Sequence, residues 1–179
     1  MADHLIGFYG GSFNPLHYGH LNVAISVKEA TNLKSVVLCP TFESPFGKPL
    51  APAKERLALI ELAIKDIPGL EVSDLEIKRG GISYTIDTLR EMGSNIRLII
   101  SDDLLDEFHL WKESEAIIKE FSPIVATRIG KKGDGRFEYV KTPIMEISST
   151  NIRERLSKGL PCQHLMPNSK QWQSFFHRV

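Results

Sequence analysis

The stretch GFYGGSFNPLHYGH, Gly7 to His20, runs directly into the apolar segment LNVAISV. The residues before it, His4 to Tyr9, are short and apolar and reach a double glycine, which predicts a buried strand entering a tight turn. Leu21 to Ala30 then predicts a helix packed on a sheet, and SVVLC (Ser35 to Cys39) a second β-branched strand closed by Pro40. The first forty residues therefore form a β-α-β unit, with the glycine-rich stretch as its strand-to-helix connection. Such a connection is an anion cradle, because a helix N-terminus offers unpaired N–H groups and the positive end of a dipole. Gly10 and Gly11 let the backbone approach a phosphate without a Cβ in the way. The spacing is neither the dinucleotide GxGxxG nor the P-loop GxxxxGK[ST].

Outward from this unit the alternation continues. A loop broken by Pro and Gly spans Pro40 to Pro52, and loops of that length carry function or move. Ala53, Leu57, Ile60, Ile64 and Ile67 fall at helical spacing before a Pro68-Gly69 stop. Leu70 to Ile77, Ile96 to Ile100, Ile124 to Thr127 and Ile144 to Ile147 predict strands. Helices are predicted over Tyr84 to Met92, Glu113 to Phe121, Thr150 to Lys158 and Asn168 to Arg178, with GKKGDGR (130–136) a polar surface loop. The expected fold is α/β, a doubly wound, Rossmann-like parallel sheet with helices on both faces, forming a single domain over 1–179.

The 179 residues, 42% hydrophobic and 25% charged, describe one ordinary globular domain. Lys plus Arg equals Asp plus Glu at 22 each, so no net field draws the molecule to nucleic acid or an anionic membrane. No apolar run approaches the roughly 20 residues of a membrane span, and no signal peptide is visible. Cys39 and Cys162 stand far apart outside any CxxC pattern, which suits a reducing compartment; the expectation is a cytoplasmic protein, with a homo-oligomer left open.

His17 and His20 stand three apart at the helix entry, so both rings can face one ligand. They read as zinc ligands lacking a third partner, as capping or packed side chains, or as phosphate donors favoured by the glycine turn. A second cluster, EISSTNIRERL (Glu146 to Leu156), places Ser148, Ser149 and Thr150 between a strand and a helix, where each alone is a cap worth about 1 kcal/mol. Arg153 reads as a first-turn cation opposed by the helix dipole, a conflict that a bound anion removes; Glu154, in a cap begun at Asn151, is the alternative. Two strand-to-helix anion sites on one edge of a parallel sheet can hold a triphosphate between them.

These residues resemble a known group. GSFNPLHYGH is similar to the (T/H)xGH signature of the nucleotidyltransferase α/β-phosphodiesterase superfamily, and ISSTNIR to its second phosphate motif. SYTIDTL (Ser83 to Leu89), LIISDDLLDEFHLWK (Leu98 to Lys112) and the tail RLSKGLPCQHLMP (155–167) resemble stretches of bacterial nicotinate mononucleotide adenylyltransferase. The resemblance implies adenylyl transfer from ATP to nicotinate mononucleotide, with nicotinate adenine dinucleotide and pyrophosphate as products. It implies phosphate contacts from the Gly10, Gly11, Ser12 and Phe13 backbone, from Ser12, His17 and His20, and from Ser148, Ser149, Thr150 and Arg153. Gly19 is implied to allow close approach of the adenine side, Lys48 to reach the reacting phosphates, and Tyr84, Thr85, Asp103, Trp111 and Arg128 to frame the mononucleotide. Trp111 reads equally as core packing, and Tyr84 and Thr85 as a helix cap. Mg²⁺ is expected mainly on the ATP phosphates, with no dedicated protein metal site.

Two segments depart from the family pattern. Pro45-Phe46-Gly47-Lys48 stands where Pro-Pro-His-Lys is usual, and Ser101-Asp102-Asp103 where Gly-Ala-Asp is usual. The alternatives are phosphopantetheine adenylyltransferase, nicotinamide mononucleotide adenylyltransferase, a non-catalytic nucleotide sensor, and a metal-dependent hydrolase built on His17, His20 and an Asp such as Asp103.

Overall fold

Short β-branched runs alternate with amphipathic segments, and among the described residues this pattern folds into six parallel strands connected by helices. In a computed structural model of the chain, residues 5–127 and 135–176 are described. The strands are β1 (Ile6–Gly11), β2 (Ser35–Pro40), β3 (Leu70–Val72), β4 (Ile96–Ser101), β5 (Ile124–Thr127) and β6 (Glu138–Lys141). The helices are α1 (Tyr18–Thr31), α2 (Ala53–Ile64), α3 (Leu75–Arg79), α4 (Thr85–Met92), α5 (Ser114–Phe121), α6 (Ser149–Ser157) and α7 (Ser169–Phe176).

The strand order is β3-β2-β1-β4-β5-β6, with every neighbouring pair parallel. The order reverses between β1 and β4, where open α/β sheets bind ligands at their carboxyl ends. The register opens the sheet there. β1 stays paired with β2 as far as Gly11↔Pro40, but its pairing with β4 ends at Phe8↔Leu98. Tyr9 to Gly11 and Ile99 to Ser101 thus run on side by side without a ladder between them.

Alternation along the strands divides the core into two layers. Tyr9, Val36, Leu38, Ile99, Ile124 and Ala126 pack with α1 and α2 on one face. Phe8, Cys39, Leu98, Ile100 and Val125 pack with Ile86 and Leu89 of α4 and Ile117 and Phe121 of α5 on the other. A third cluster joins Leu59 of α2 to Ile152 and Leu156 of α6, Cys162, Met166 and Trp172 of α7. It anchors the tail so that α6 is carried back toward the β1–α1 turn. Among the described residues no helix is long and apolar enough to cross a membrane.

Three expected boundaries move. β1 runs to Gly11, so the two glycines end the strand and the turn begins at Ser12; His4 lies outside the described residues. A Cβ on Gly10 would stand 2.8 Å from the Phe8 ring, so the glycine admits that ring beside the strand. The expected strand Leu70 to Ile77 stops at Val72, because the Ser73 hydroxyl accepts from Leu75 N (3.2 Å) and turns the chain into α3. The last strand is Glu138–Lys141, and Ile144 to Ile147 is irregular, following Pro143, with Ile144 65% exposed. β6 is an edge strand whose only buried side chain is Val140, so its polar pattern hid it. Most of the polar loop at 130–136, and the last residues of the expected C-terminal helix, lie outside the described residues.

Candidate active site

The connection from Ser12 to His17 has little regular structure, so its shape depends on side chains from elsewhere. Ser149 Oγ of α6 donates to the Pro15 carbonyl (2.9 Å), and Arg153 Nη1 donates to the Asn14 carbonyl (2.7 Å). The two motifs from opposite ends of the chain therefore touch. Phe13 adopts φ +41°, in the left-handed region, and is held there by burial against Tyr9 (5.7 Å between ring centroids) and His20 (5.1 Å).

The N-cap of α6 is Ser148, whose side chain accepts from Asn151 N at 3.1 Å. This corrects two expectations. The cap does not begin at Asn151, and Arg153 lies in the second turn rather than the first, so the dipole conflict inferred for it does not arise. Arg153 is instead aimed across at the turn, and its Nη2 also donates to Thr150 Oγ1 (3.2 Å). A guanidinium has five N–H groups, so donors remain for an anion. The amides of Ser149 and Thr150 stand at the open end of the helix.

His17 and His20 stack, with centroids 3.7 Å apart and planes 28° from parallel. The His17 backbone N–H donates to His20 Nδ1 (3.1 Å). In a neutral imidazole this leaves the proton on Nε2, making His20 a donor at its outer nitrogen. Burial pushes the His17 pKa down to about 4, and burial together with the adjacent His17 pushes His20 well below its ordinary value. Both rings are neutral at physiological pH. Two rings lying face to face, one nitrogen already bonded to backbone, do not point two lone pairs at one ion, which counts against the zinc-ligand reading. His17 Nδ1 is buried without a hydrogen-bond partner among the described groups. Gly19 serves this pair, since a Cβ there would stand 2.9 Å from His17 Nδ1. The same missing Cβ bears on the close approach of the adenine side that the resemblance implies at Gly19, since any side chain there would meet the His17 ring first.

A cleft of about 370 Å³ opens from Gly10, Gly11 and Ser12 toward Tyr84, Thr85 and Trp111, with Lys48 also on its lining. Tyr84 occupies the N-cap position of α4 but makes no side-chain cap bond, and Lys112 Nζ, bonded to Asp87 (2.8 Å), sits 4.9 Å above its ring. Trp111 is half-buried, tilted against Phe108 at 5.2 Å and facing the cleft, so it is neither a free platform nor core. Asp103 is exposed on a 3₁₀ turn after β4, apart from this lining. Its charge contributes to the raised Tyr9 pKa of about 12, which burial mainly causes. Arg128 lies outside the described residues.

Sequence reasoning missed two buried charges beside the site. Arg56 of α2 is completely buried and donates to the carbonyls of Ala51, Ser12 and Thr41. It occupies the same helical stripe as Ile60 and Ile64, and a cation on that stripe was the available signal. Glu76, 4% exposed, lies on the cleft lining and accepts from Thr88 Oγ1 at 2.9 Å. Burial raises its pKa, and reading 70–77 as a strand concealed it. Phe46, 51% exposed, and Leu110, 63% exposed, also line the cleft.

Residues 8–155 match the cytidylyltransferase-like family model. The chain is 35% identical to a Roseiflexus sp. (strain RS-1) protein named "Probable nicotinate-nucleotide adenylyltransferase", over 94% of each chain. It is 36% identical to a protein of that name from Methylacidiphilum infernorum, over 92% of this chain and 86% of the other. Its fold matches that of Plasmodium falciparum nicotinic acid mononucleotide adenylyltransferase complexed with NaAD, with a TM-score of 0.77 and 20% identity over 98% and 97% of the two chains. This chain belongs to the cytidylyltransferase-like family and, within it, to the nicotinate-nucleotide adenylyltransferases.

Proposed function

We propose that the protein transfers the adenylyl group of ATP to nicotinate mononucleotide, releasing pyrophosphate, and that residues 1–179 act as one nucleotidyltransferase domain. The observation that carries this reading is the meeting of the Ser12–His17 turn with the start of α6 beside a cleft with an aromatic wall. The name borne by the relatives supports the choice of acceptor.

A 5′-phosphate oxygen of the mononucleotide attacks the α-phosphorus of ATP, and the bond from that phosphorus to the bridging oxygen breaks as pyrophosphate leaves. The attacking phosphate is already anionic at neutral pH, so the protein needs neither a base nor a covalent nucleophile; alignment and charge stabilisation suffice. The Gly10 to Phe13 backbone, the Ser12 hydroxyl and the imidazole N–H groups of His17 and His20 hold the α- and β-phosphates. Ser148, Ser149, Thr150 and Arg153 take the β- and γ-phosphates, and Lys48 reaches the reacting centre from its loop. Gly19 lets the adenine side approach closely, and its lack of a Cβ also leaves room for the His17 ring. Tyr84, Thr85 and Trp111 hold the mononucleotide, with Asp103 and Arg128 completing its surroundings.

Among the described residues, no three His, Cys, Asp or Glu side chains assemble as a metal site. The donors at the turn are N–H and O–H groups, which suit phosphate oxygens, so Mg²⁺ is proposed to enter on the triphosphate. When bound it would neutralise phosphate charge. The two cysteines are buried and free, in keeping with a reducing cytosol as the proposed compartment.

Purified protein with Mg-ATP should release pyrophosphate on addition of nicotinate mononucleotide, more weakly on addition of nicotinamide mononucleotide, and not with phosphopantetheine. Release with phosphopantetheine alone would overturn the assignment. ATP binding without release for any acceptor would make the protein a sensor.

A further inference from the structure

Arg56 sits on the buried stripe of α2 with Ile60 and Ile64, where a cation is costly unless its donors are satisfied. Among the described residues its nitrogens bond no carboxylate; they bond three carbonyls. Nε donates to Ala51 (2.8 Å), Nη1 to Ser12 (2.7 Å) and Nη2 to Thr41 (2.6 Å). Glu76 acts on it through space, and burial brings its pKa down to about 10, so it stays charged at neutral pH.

The identity of those carbonyls is informative. Ser12 opens the phosphate turn, Thr41 follows β2, and Ala51 immediately precedes Pro52 and α2. Thr41 and Ala51 are therefore the two ends of the loop that carries Lys48. The same ends are tied again, Thr41 N to the Gly11 carbonyl at the end of β1 (2.9 Å) and Ala51 N to Asn14 Oδ1 in the turn (3.2 Å). Between them the loop is exposed from Pro45 to Pro49. One planar group thus fixes the span of the loop base and its distance from the turn, while the tip stays open to solvent. Lysine cannot replace it, because a single ammonium nitrogen cannot present donors along three separated directions in a rigid plane.

We propose that Arg56 is a positioning residue for adenylyl transfer, locking the phosphate turn and both ends of the Lys48 loop into one frame so that turn and lysine reach the same triphosphate. The kinetic part of this inference rests on the adenylyl-transfer reading; the structural part does not.

Arg56→Lys keeps the charge and loses the fork. Hydrogen exchange of the full chain without nucleotide reads the frame directly, at the bonded amides of His17, Thr41, Phe42 and Ala51. Their protection should fall roughly tenfold or more while Ile124 to Thr127 in β5 keep theirs. Unchanged protection at Thr41 and Ala51, or an equal loss in β5, would overturn the proposal. In steady state, kcat/KM for ATP should fall roughly tenfold or more with the acceptor KM within about twofold. In a Lys48→Ala background the further loss from Arg56→Lys should shrink; full additivity would overturn the coupling between turn and loop. Arg56→Gln, which retains two donors, serves if the lysine variant does not fold, and failure of both to fold would make Arg56 a folding residue and end the positioning claim. If the wild type forms no dinucleotide with any acceptor, the reaction assignment fails while the exchange result still decides the role of Arg56.

Discussion

The Ser12–His17 turn, whose first residue lines the cleft, and the wall around Trp111 across that cleft are held in opposite ways. The turn is gripped by Arg56, Ser149 and Arg153 through bonds of 2.7, 2.9 and 2.7 Å to its carbonyls, with His17 stacked on His20 and His20 packed against buried Phe13. The wall presents half-buried Trp111 with exposed Leu110 and, from the loop, exposed Phe46. Phosphates are recognised by directed donors, which act best when fixed in advance. A pyridine ring is recognised by area, which can stay wet until the ligand covers it. The phosphate end should therefore govern turnover and the acceptor end affinity.

The largest effect should come from His20→Ala, which removes a fixed Nε2 donor. Turnover is expected to fall by about a hundredfold or more, with the acceptor KM little changed and the melting curve still cooperative. Near-wild-type turnover would remove His20 from the phosphate site and break the contrast at its stronger end.

Next in size is an acid effect confined to the phosphate end. His17 carries an ordinary pKa near 6.5 when unfolded and about 4 when folded. Between these values the unfolded chain binds the extra proton and the folded one does not, so stability is complete above about pH 6.5 and is lost as pH falls toward 4. From pH 7 to pH 5 the loss from His17 alone is about 2 kcal/mol. His20, shifted in the same direction, adds to it. Urea unfolding at the two pH values measures the difference, and His17→Gln should reduce it. A difference that His17→Gln leaves unchanged would show that the ring is not held neutral by the fold.

The meeting of the Ser12–His17 turn with α6 was legible because both segments are marked by residue types at element boundaries: Gly, Ser and His after a first strand, Ser-Ser-Thr at the start of a late helix. The sheet was legible wherever strands are apolar on both faces, as at Ser35 to Cys39, and illegible at β6, where one buried Val140 leaves a polar edge pattern. Arg153 was found for a reason that does not hold. Its importance shows in a bond to Asn14, across the fold, and not in its place along the helix dipole. Arg56 was missed because its partners are main-chain carbonyls, which every residue has and no side-chain pattern announces.

At the acceptor end, Trp111→Ala should raise the acceptor KM by roughly tenfold, since it removes a large ring that faces the cleft and already rests on Phe108. The KM for ATP should not move, and an equal rise in both would mean that Trp111 is core packing whose loss spreads to the turn.

The smallest effect tests whether the departure at Pro45-Phe46-Gly47-Lys48 carries function. Phe46 is half exposed on a loop tip whose two ends are fixed to Arg56. An exposed ring at a cleft mouth is an unfavourable arrangement in the empty protein, and covering part of it with the mononucleotide would recover some of that cost. The loop must give up tip freedom to bring the ring down, and this opposes the gain. The net contribution should be small: Phe46→Ala is expected to raise the acceptor KM about threefold and leave kcat alone, because the loop base and Lys48 remain in place. If Phe46→Ala lowered kcat with the acceptor KM unchanged, the loop tip would belong to the phosphate end, and the division of labour between the two ends would fail where they join.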